Sequence, residues 1–581
     1  MSSTILLLLI TSLFASLVSP TCTGADLTVR ALNGRCNNLA NPELGTPETI
    51  YYRSREGVAY NDTSPPFETA ILEGRPRVRD VSLGILGKPQ NPRTQKTAKR
   101  LSLLHTFFGQ FVMHDITQTA ELDTPNDPLR EDTLDTLILR DDDPFLFLPF
   151  PPFSRKTGLG PFPTPVGISR SRTQIVDDVR EIINEQTHFL DLSTIYWHNK
   201  TYQDAFRTNV GGEMIVEDHE IVSAYNPDNP TIGTENPERR KLFGTLPNID
   251  TTQTPNGRGQ HGDDPRETVF ASGDERSSSV QGLTSIHHVF YLEHNRIAKE
   301  LQGQNPSWTD EEVFQKARAI NTAQYQHIVY NEWLPLLFGD YQIARYLGRW
   351  RGYNPSVDPR VSALVSGVAS RFGITEVLDL TPTYDKCGNP DITLGWGGVL
   401  IQGTSNGGPV FPLRITCAAG SFDNVLRAII YTPIEQIDHM VSDILRNFNI
   451  PTDFTVGVDI VSLNMARARD NGIPDFETVY KNWNPLAPGT KSLYDNCNSN
   501  PLSTVDDLAC FEAFLQQFSD VPNLAANTRD VYKKLTALDP WFSFMAEKKE
   551  LGSTMGRTNS RIILDQFRRL RDGDRFWYEN L

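Results

Sequence analysis

Residues 108 to 115 read Phe-Gly-Gln-Phe-Val-Met-His-Asp, and this stretch places an amide and an imidazole side by side. It lies inside a segment with helical periodicity, Leu101 to Thr117. On a helix, Gln110 and His114 are one turn apart and project from the same face. A single histidine on an apolar helix is usually a satisfied core residue. This segment alone is therefore compatible both with a core histidine and with an acid–base catalyst.

Helical periodicity also marks three other segments, whereas the alternation typical of strands is scarce. The three segments are Gly282 to Leu301, Asp310 to Phe338 and Ile434 to Phe448. No internal repeat or low-complexity linker divides the chain. The sequence therefore predicts a mostly α protein with one large domain.

A second stretch with chemical meaning is Thr187 to Ser193, in which hydroxyls flank the carboxylate of Asp191. Ca²⁺ prefers about six to eight oxygen ligands, and loops supply them from hydroxyls, carboxylates and carbonyls. The same spacing also fits a strand edge or a helix cap. A third stretch, Gly273 to Ser279, contains Arg276, which on its own could be a surface or salt-bridged arginine.

These stretches together resemble the animal haem peroxidase family. Five more stretches carry the resemblance, in the family's order and close to both chain ends: GRCNNL (34–39), QHIVYNEWLPLLFG (326–339), YNPSVDPR (353–360), SLNMARARDNG (462–472) and RDGDRFWYEN (571–580). The resemblance implies the peroxidase fold, a single large helical domain with few short strands, and haem b and calcium as cofactors.

The resemblance also assigns roles to individual residues. It makes His114 the distal base, Gln110 its neighbour and Arg276 the distal arginine. A neutral imidazole can take a proton from H₂O₂ and return it to the leaving oxygen, while a guanidinium stabilises the charge that develops as the O–O bond breaks. The implied calcium ligands are Asp115, Thr187, Phe189 through its carbonyl, Asp191 and Ser193. Because Asp115 follows His114, the ion would tie the distal helix to the loop.

The sequence departs from the family at the proximal side of the haem. The family's iron ligand is a histidine directly after an Arg-Phe/Tyr-Gly triplet, but here the triplet 371–373 is followed by Ile374. Isoleucine has no lone pair for iron. Arg371, which belongs beside the haem, and Asn464, whose family counterpart hydrogen-bonds the missing histidine, both remain.

No simple substitute for the ligand is visible in the sequence. Positions between His327 and His439 contain no histidine, and His294 lies in a Leu-Glu-His-Asn-Arg stretch that the family carries alongside its true ligand. Met113 and Ser279 stand where the family has ester-forming carboxylates. We therefore expect no covalent link to haem.

Several features predict an exported protein. An apolar run within residues 1–21 is typical of a signal peptide, with a buried N-terminal helix as the alternative, and it leaves residues 22–581 as the peroxidase-like domain. Sequons at Asn61 and Asn199 fit a glycoprotein. Six cysteines favour three local disulfides, which are Cys22–Cys36, Cys387–Cys417 and Cys497–Cys510.

Charge and hydropathy exclude some partners. The net charge of −16 disfavours nucleic acid and anionic membranes. No later stretch is apolar for long enough to span a bilayer. We expect a secreted, extracellular protein.

Three functional hypotheses follow. The favoured one is a degenerate peroxidase-like protein, in which the scaffold and the calcium loop persist for binding or assembly in the extracellular matrix. The alternative is a working peroxidase that uses H₂O₂ and a small reductant, with haem held by its propionates, its pocket and an unusual axial ligand. A lipid dioxygenase of the cyclooxygenase type is the weakest, because the chain shows neither that branch's membrane-binding helices nor its cysteine-rich leader.

Overall fold

The computed structural model describes most of the chain from Cys22 onward. The described residues are 22–55, 74–87, 99–120, 171–177, 179–217, 220–221, 272–278, 280–378, 380–384, 387–388, 390–395, 422–446, 448–450, 456–485, 513–516, 518–519 and 524–580.

Helices dominate the described residues, which confirms the predicted fold class. In chain order they are α1 (Val78–Ile85), α2 (Leu103–Ile116), α3 (Ser193–Tyr196), α4 (Lys200–Ala205), α5 (Gln281–Gln304), α6 (Asp310–Ile328), α7 (Leu334–Gln342), α8 (Phe422–Tyr431), α9 (Asp443–Arg446), α10 (Ile460–Asp470), α11 (Phe476–Trp483), α12 (Leu524–Tyr532), α13 (Pro540–Ala546) and α14 (Arg557–Asp572).

Tighter and wider helical turns connect several of these helices. The 3₁₀ turns are Gly24–Leu27, Glu275–Ser278, Arg371–Thr375, Leu535–Ala537 and Tyr578–Asn580, and the π-helical turns are Val329–Trp333, Ile343–Leu347 and Val365–Ala369.

The strands are short and antiparallel. They are β1 (Thr49–Ile50), β2 (Thr173–Val176), β3 (Val179–Asn184), β4 (Val216–Glu217), β5 (Glu220–Ile221), β6 (Leu380–Tyr384), β7 (Pro390–Gly395), β8 (Phe448–Ile450) and β9 (Val456–Val458). Strand β3 lies between β1 and β2, and the other strands pair as hairpins.

Helix α2 lies at the centre of one large hydrophobic core. It is apolar on nearly every side, as expected of a helix that other helices surround. Phe111 on α2 stacks on Phe290 of α5 with ring centroids 5.1 Å apart, and it meets Tyr325 of α6 edge-on at 5.7 Å. This packing fixes the direction in which α2 presents its polar face.

Three of the four predicted helical segments are confirmed, and Ile434 to Phe448 is wrong. Most of that segment is irregular, with only α9 helical, and the helix in this region is the earlier α8. In place of helical hydrogen bonds, the backbone here bonds to residues far away in the chain. Ile434 donates to the Leu101 carbonyl and Val441 to the Leu86 carbonyl. Periodicity could not reveal these non-local partners.

Buried Asp574 ties the two ends of the described chain together. Its carboxylate accepts hydrogen bonds from Arg30 Nη2 at 2.7 Å, Asn37 Nδ2 at 2.8 Å and Gln326 Nε2 at 3.2 Å. The Arg575 amide donates to Asn37 Oδ1 at 2.7 Å. Residues near the N-terminus, α6 and the last turn of the chain therefore share one polar centre.

The features predicted for an exported chain are described only in part. The Cys22–Cys36 disulfide is confirmed, with Cα atoms 5.8 Å apart. The signal-peptide run, Asn61, Ser279, Cys417, Cys497 and Cys510 lie outside the described residues. Asn199 is exposed at the start of α4. Among the described helices, none combines the length and the apolarity needed to cross a membrane.

Candidate functional site

His114 lies in the last turn of α2, half-buried and without a hydrogen bond from its ring to any described residue. Burial lowers the pKa of His114 well below its usual value, and the charge of Arg276 lowers it further. The imidazole is therefore neutral at physiological pH. A neutral ring can accept a proton, as a distal base requires.

Arg276 is held against the same end of α2. Its Nε donates to Asp274 Oδ1 at 2.9 Å, while Nη1 donates to the Thr117 carbonyl at 2.8 Å and Nη2 to the His114 carbonyl at 3.0 Å. Burial alone would raise the pKa of Asp274, but Arg276 outweighs it and lowers that pKa to about 2. The ion pair fixes a cation beside His114.

Gln110 lies one turn before His114 on α2 and is half-buried. Its side-chain amide makes no hydrogen bond to the described part of the chain. Two polar side chains on one face of an otherwise apolar helix thus lack protein partners, and buried polar groups normally have them. This face is suited to binding a polar ligand.

Arg371 lies on a separate segment of the chain, in the 3₁₀ turn Arg371–Thr375. Its Nε donates to the Ser366 carbonyl at 3.0 Å. The side chain is exposed, yet burial, followed by the charge of Arg467, lowers its pKa to about 10. The charge of Arg371 also contributes to lowering the pKa of His114.

Asn464 and Arg467 lie on α10, which packs against the π-helical turn Val365–Ala369. The Asn464 side chain is buried and has no hydrogen-bond partner among the described residues. A Cβ placed on Gly367 would meet no atom within 4 Å, so open space adjoins this turn. Asn464 and Arg371 are thus carried by neighbouring elements, since the turn Val365–Ala369 contacts both α10 and the turn Arg371–Thr375.

Ile374 is half-buried and packs against the hydrophobic core. Its turn lies against the beginning of α2, where Thr106 Oγ1 donates to Glu376 Oε2 at 2.7 Å. His105 Nδ1 is 3.4 Å from Glu376 Oε1, and both groups are buried. Sequence reasoning missed this histidine–glutamate pair, because its members lie far apart in the chain and belong to no motif.

The residues predicted for the haem site fit that group only in part. The distal side offers His114 and Arg276, and the neighbouring guanidiniums of Arg371 and Arg467 suit the carboxylates of a haem. The proximal side offers the hydrocarbon side chain of Ile374, which cannot bond to iron.

A cluster of oxygen atoms lies directly behind His114, where Asp115 meets the loop 187–193. Asp115 Oδ2 accepts the amide N–H groups of Asp191 at 3.1 Å and Leu192 at 3.2 Å, and Asp115 Oδ1 accepts that of Thr194 at 3.2 Å. Ser193 Oγ donates to the Asp115 carbonyl at 3.0 Å. The acidic residue next to His114 thus fastens the distal helix to the loop.

The remaining predicted calcium ligands join the same cluster. Thr187 Oγ1 is 3.0 Å from Asp191 Oδ1 and 3.4 Å from Ser193 Oγ. Phe189 is fully buried, and its carbonyl accepts no hydrogen bond from the described residues. The oxygens of Asp115, Thr187, Asp191 and Ser193 therefore form one cluster, with Phe189 on the same loop.

The electrostatics of the cluster suit a cation. Burial raises the pKa of Asp115 well above its usual value, and the charge of Asp191 raises it further. Burial also raises the pKa of Asp191, although Arg30 and Arg318 counteract it. Two carboxylates and two hydroxyls match the hard oxygen ligands that Ca²⁺ prefers. The described residues hold no cluster of three or more His, Cys, Asp or Glu side chains.

The backbone of the loop is strained and closely packed. Leu192 has a φ of +59°, a conformation that costs energy for a residue with a branched side chain. Gly273 packs so tightly on the loop that a Cβ there would overlap the Ser193 carbonyl and the Trp197 amide. The segment that carries Arg276 can approach the loop only because residue 273 is glycine.

Two further histidines near the site are structural. His294 Nδ1 is 2.9 Å from the Tyr196 hydroxyl and its Nε2 is 2.9 Å from the Gly212 carbonyl. His287 contacts Thr194 Oγ1 at 2.7 Å and the Leu283 carbonyl at 2.9 Å. Both rings have their nitrogens occupied, unlike His114.

The mostly helical fold thus brings His114, Arg276 and the oxygen cluster at Asp115 together. Solved structures support this fold. Peroxidase A from Dictyostelium discoideum superposes with a TM-score of 0.67 at 23% identity, over 95% of this chain and 92% of that one. A fatty acid alpha-dioxygenase from Oryza sativa gives 0.63 at 15% identity, over 94% and 79%.

The sequence comparison is more specific. The family described as "Animal haem peroxidase" matches residues 29–581, and the chain therefore belongs to the animal haem peroxidase family. Mouse myeloperoxidase is 29% identical over 97% of this chain and 72% of its own length. Lactoperoxidase of Mesocricetus auratus is 27% identical over 95% and 72%. The peroxidasin homolog of Caenorhabditis briggsae is 26% identical over 95% of this chain, which spans only 40% of that protein.

Proposed function

We propose that this protein is a secreted, calcium-binding member of the animal haem peroxidase family in which haem ligation has degenerated. One observation carries the proposal: Ile374 follows the Arg-Phe-Gly triplet and packs into the core. An axial imidazole anchors haem and supplies electron density for O–O cleavage. Without an axial imidazole, no iron would be held firmly next to the distal residues.

Calcium binding is the second part of the proposal. It is supported by the buried carboxylates of Asp115 and Asp191, whose pKa values are both raised, and by the hydroxyls of Thr187 and Ser193. Bound Ca²⁺ would neutralise the two carboxylates and hold the strained loop against α2. The ion would thereby stabilise the scaffold whether or not haem binds.

An extracellular role is the third part. The Cys22–Cys36 disulfide is the kind of bond that persists in oxidising compartments. The predicted signal peptide and the exposed sequon at Asn199 agree with export. We expect the scaffold to act through its surface, with matrix components as its partners.

Active peroxidase chemistry is the second candidate, and a specific observation favours it. The ring of His114 is neutral and makes no hydrogen bond to the described residues, and Arg276 is fixed beside it. When bound, haem would supply the oxidising chemistry. His114 would accept the proton of H₂O₂, and Arg276 would stabilise negative charge on the leaving oxygen.

The absorption spectrum of the purified protein separates the two candidates. The protein should be expressed with excess haem, desalted and scanned for a Soret band. The proposal expects little or no Soret band and little H₂O₂-dependent oxidation of a phenol. A strong Soret band with rapid turnover would establish the second candidate instead.

A further inference from the structure

A pocket lies against α6, next to the loop 187–193, where its lining residue Gln326 donates to the Leu190 carbonyl. It has a volume of about 420 Å³ and is enclosed by the N-terminal segment 28–30, one face of α6 and Phe576. This volume falls within the range of small-molecule sites. None of the residues that line it is assigned above to haem or calcium.

Arg318, on the wall of this pocket, is a buried cation whose charge interacts with that of Asp191 in the loop 187–193. Only 4% of the residue is exposed. Its Nη1 donates to the Arg30 carbonyl at 2.8 Å and its Nη2 to the Ala31 carbonyl at 3.3 Å, and both acceptors are neutral. Within the described ranges, no carboxylate lies within 4.0 Å of it, and its Nε has no partner. Burial lowers its pKa to about 10.

Arg30, the second cation of the pocket, is only partly neutralised. Its Nη2 pairs with Asp574 at 2.7 Å, and only 9% of its side chain is exposed. Its Nη1 is buried and makes no hydrogen bond to any described residue. Because Arg30 also lowers the pKa of Arg318, the two guanidiniums repel each other across a short distance. A bound anion would relieve this repulsion.

The remaining charges of the pocket reinforce this preference. Exposed Lys316 adds a third positive charge to the lining, whereas Glu312 supplies a single negative one. The Glu312 carboxylate is already engaged by the Thr309 amide at 2.8 Å and the Thr309 hydroxyl at 2.8 Å. The pocket is therefore positive on a chain whose net charge is −16.

The rest of the lining is apolar or aromatic and comprises Val29, Trp308, Ala319, Ala323 and Phe576. Such walls favour a flat hydrocarbon body, and guanidiniums bind carboxylates through charge-assisted hydrogen bonds. We propose that this pocket binds a small aromatic carboxylate, with the carboxylate on Arg30 and Arg318 and the ring between Trp308 and Phe576.

Benzoate is the probe, titrated by calorimetry into the full chain in the presence of calcium. Saturable binding is expected, and benzyl alcohol, which has the ring without the charge, should not bind. Lys316→Glu reverses a charge at the pocket, and Ala323→Leu fills its space. Each should weaken benzoate binding at least about tenfold.

The matched control is Lys299→Glu, which makes the same charge reversal on an exposed helical surface outside the pocket. It should leave the affinity within about twofold, because solvent and salt screen distant surface charges. Thermal melting of each variant without benzoate checks that it is folded.

Three results would overturn the proposal. They are the absence of saturable binding to the wild type, equal affinity in wild type and both pocket variants, and equal weakening by Lys299→Glu. Because benzoate affinity is measured without reference to haem, this outcome is independent of the Soret test of the proposed function.

Discussion

The residues on the two sides of the candidate haem site differ in how far they also stabilise the fold. On the predicted distal side, Arg276 pairs with Asp274 and bonds the end of α2, and Asp115 fastens α2 to the loop 187–193. On the predicted proximal side, Asn464 has no partner among the described residues, and Ile374 packs against the core. The distal residues therefore also stabilise the fold, whereas a change at residue 374 should cost little stability.

The largest effect should come from restoring the missing ligand. Replacing Ile374 with histidine, as Ile374→His, should create a Soret band and measurable H₂O₂-dependent oxidation of a phenol, because the distal side is already assembled. Haem titration followed by absorption is the measurement. The control is Ile374→Leu, which keeps the size and polarity of the wild type. The same band in that control would show that the imidazole is not responsible.

The next effect concerns Asn464, whose side chain has no hydrogen-bond partner among the described residues of the wild type. In the Ile374→His background, Asn464→Leu should lower haem affinity by about 10- to 100-fold, because the residue orients the new imidazole. In the wild type, the same change should alter the free energy of unfolding by less than about 0.5 kcal/mol. Equal haem affinity with and without Asn464 would contradict the prediction that Asn464 orients the introduced histidine.

We expect bound calcium to raise the thermal stability of the protein through the distal side of the site. Saturating calcium should raise the melting temperature of the wild type, by a stabilisation of about 2.7 kcal/mol at a concentration one hundred times Kd. Asp191→Ala should abolish this gain, while the exposed carboxylate variant Glu300→Ala on α5 should retain it. A wild type that melts at one temperature with calcium and with chelator would contradict the calcium site.

The smallest predicted effect is a pH dependence on the proximal side. Glu547 directly follows α13, and its buried carboxylate accepts the amide of Thr558 at 2.9 Å, in the first turn of α14. Helix α14 packs on the turn Val365–Ala369. Burial raises its pKa to about 7. The folded state then binds more protons than the unfolded state between about pH 4.5 and 7, so stability falls as pH rises through this window.

Denaturant unfolding of the wild type at pH 5 and pH 8 measures this loss, which should be on the order of 2 kcal/mol from Glu547. Glu547→Gln removes the titrating group and should flatten the profile by that amount. An unchanged slope in the variant would assign the pH dependence to other residues.

The sequence predicted the features of the structure that depend on interactions between residues close together in the chain. The periodicity of α2, α5 and α6 follows from their own apolar residues, and Arg276 is anchored by Asp274, two positions away. Contacts between residues that are far apart in the chain could not be predicted from the sequence. Ile434 bonds to Leu101 in place of a helical neighbour, and the pair of His105 and Glu376 forms only when the fold brings α2 to the turn after Ile374.

The polar centre at Asp574 has a consequence for the order in which the protein is made. Arg30 and Asn37 leave the ribosome more than 500 residues before Asp574. At about 5–20 residues per second, the N-terminal segment therefore waits on the order of half a minute to two minutes for its partner. The docking of the N-terminal segment on Asp574 is therefore among the last events of biosynthesis.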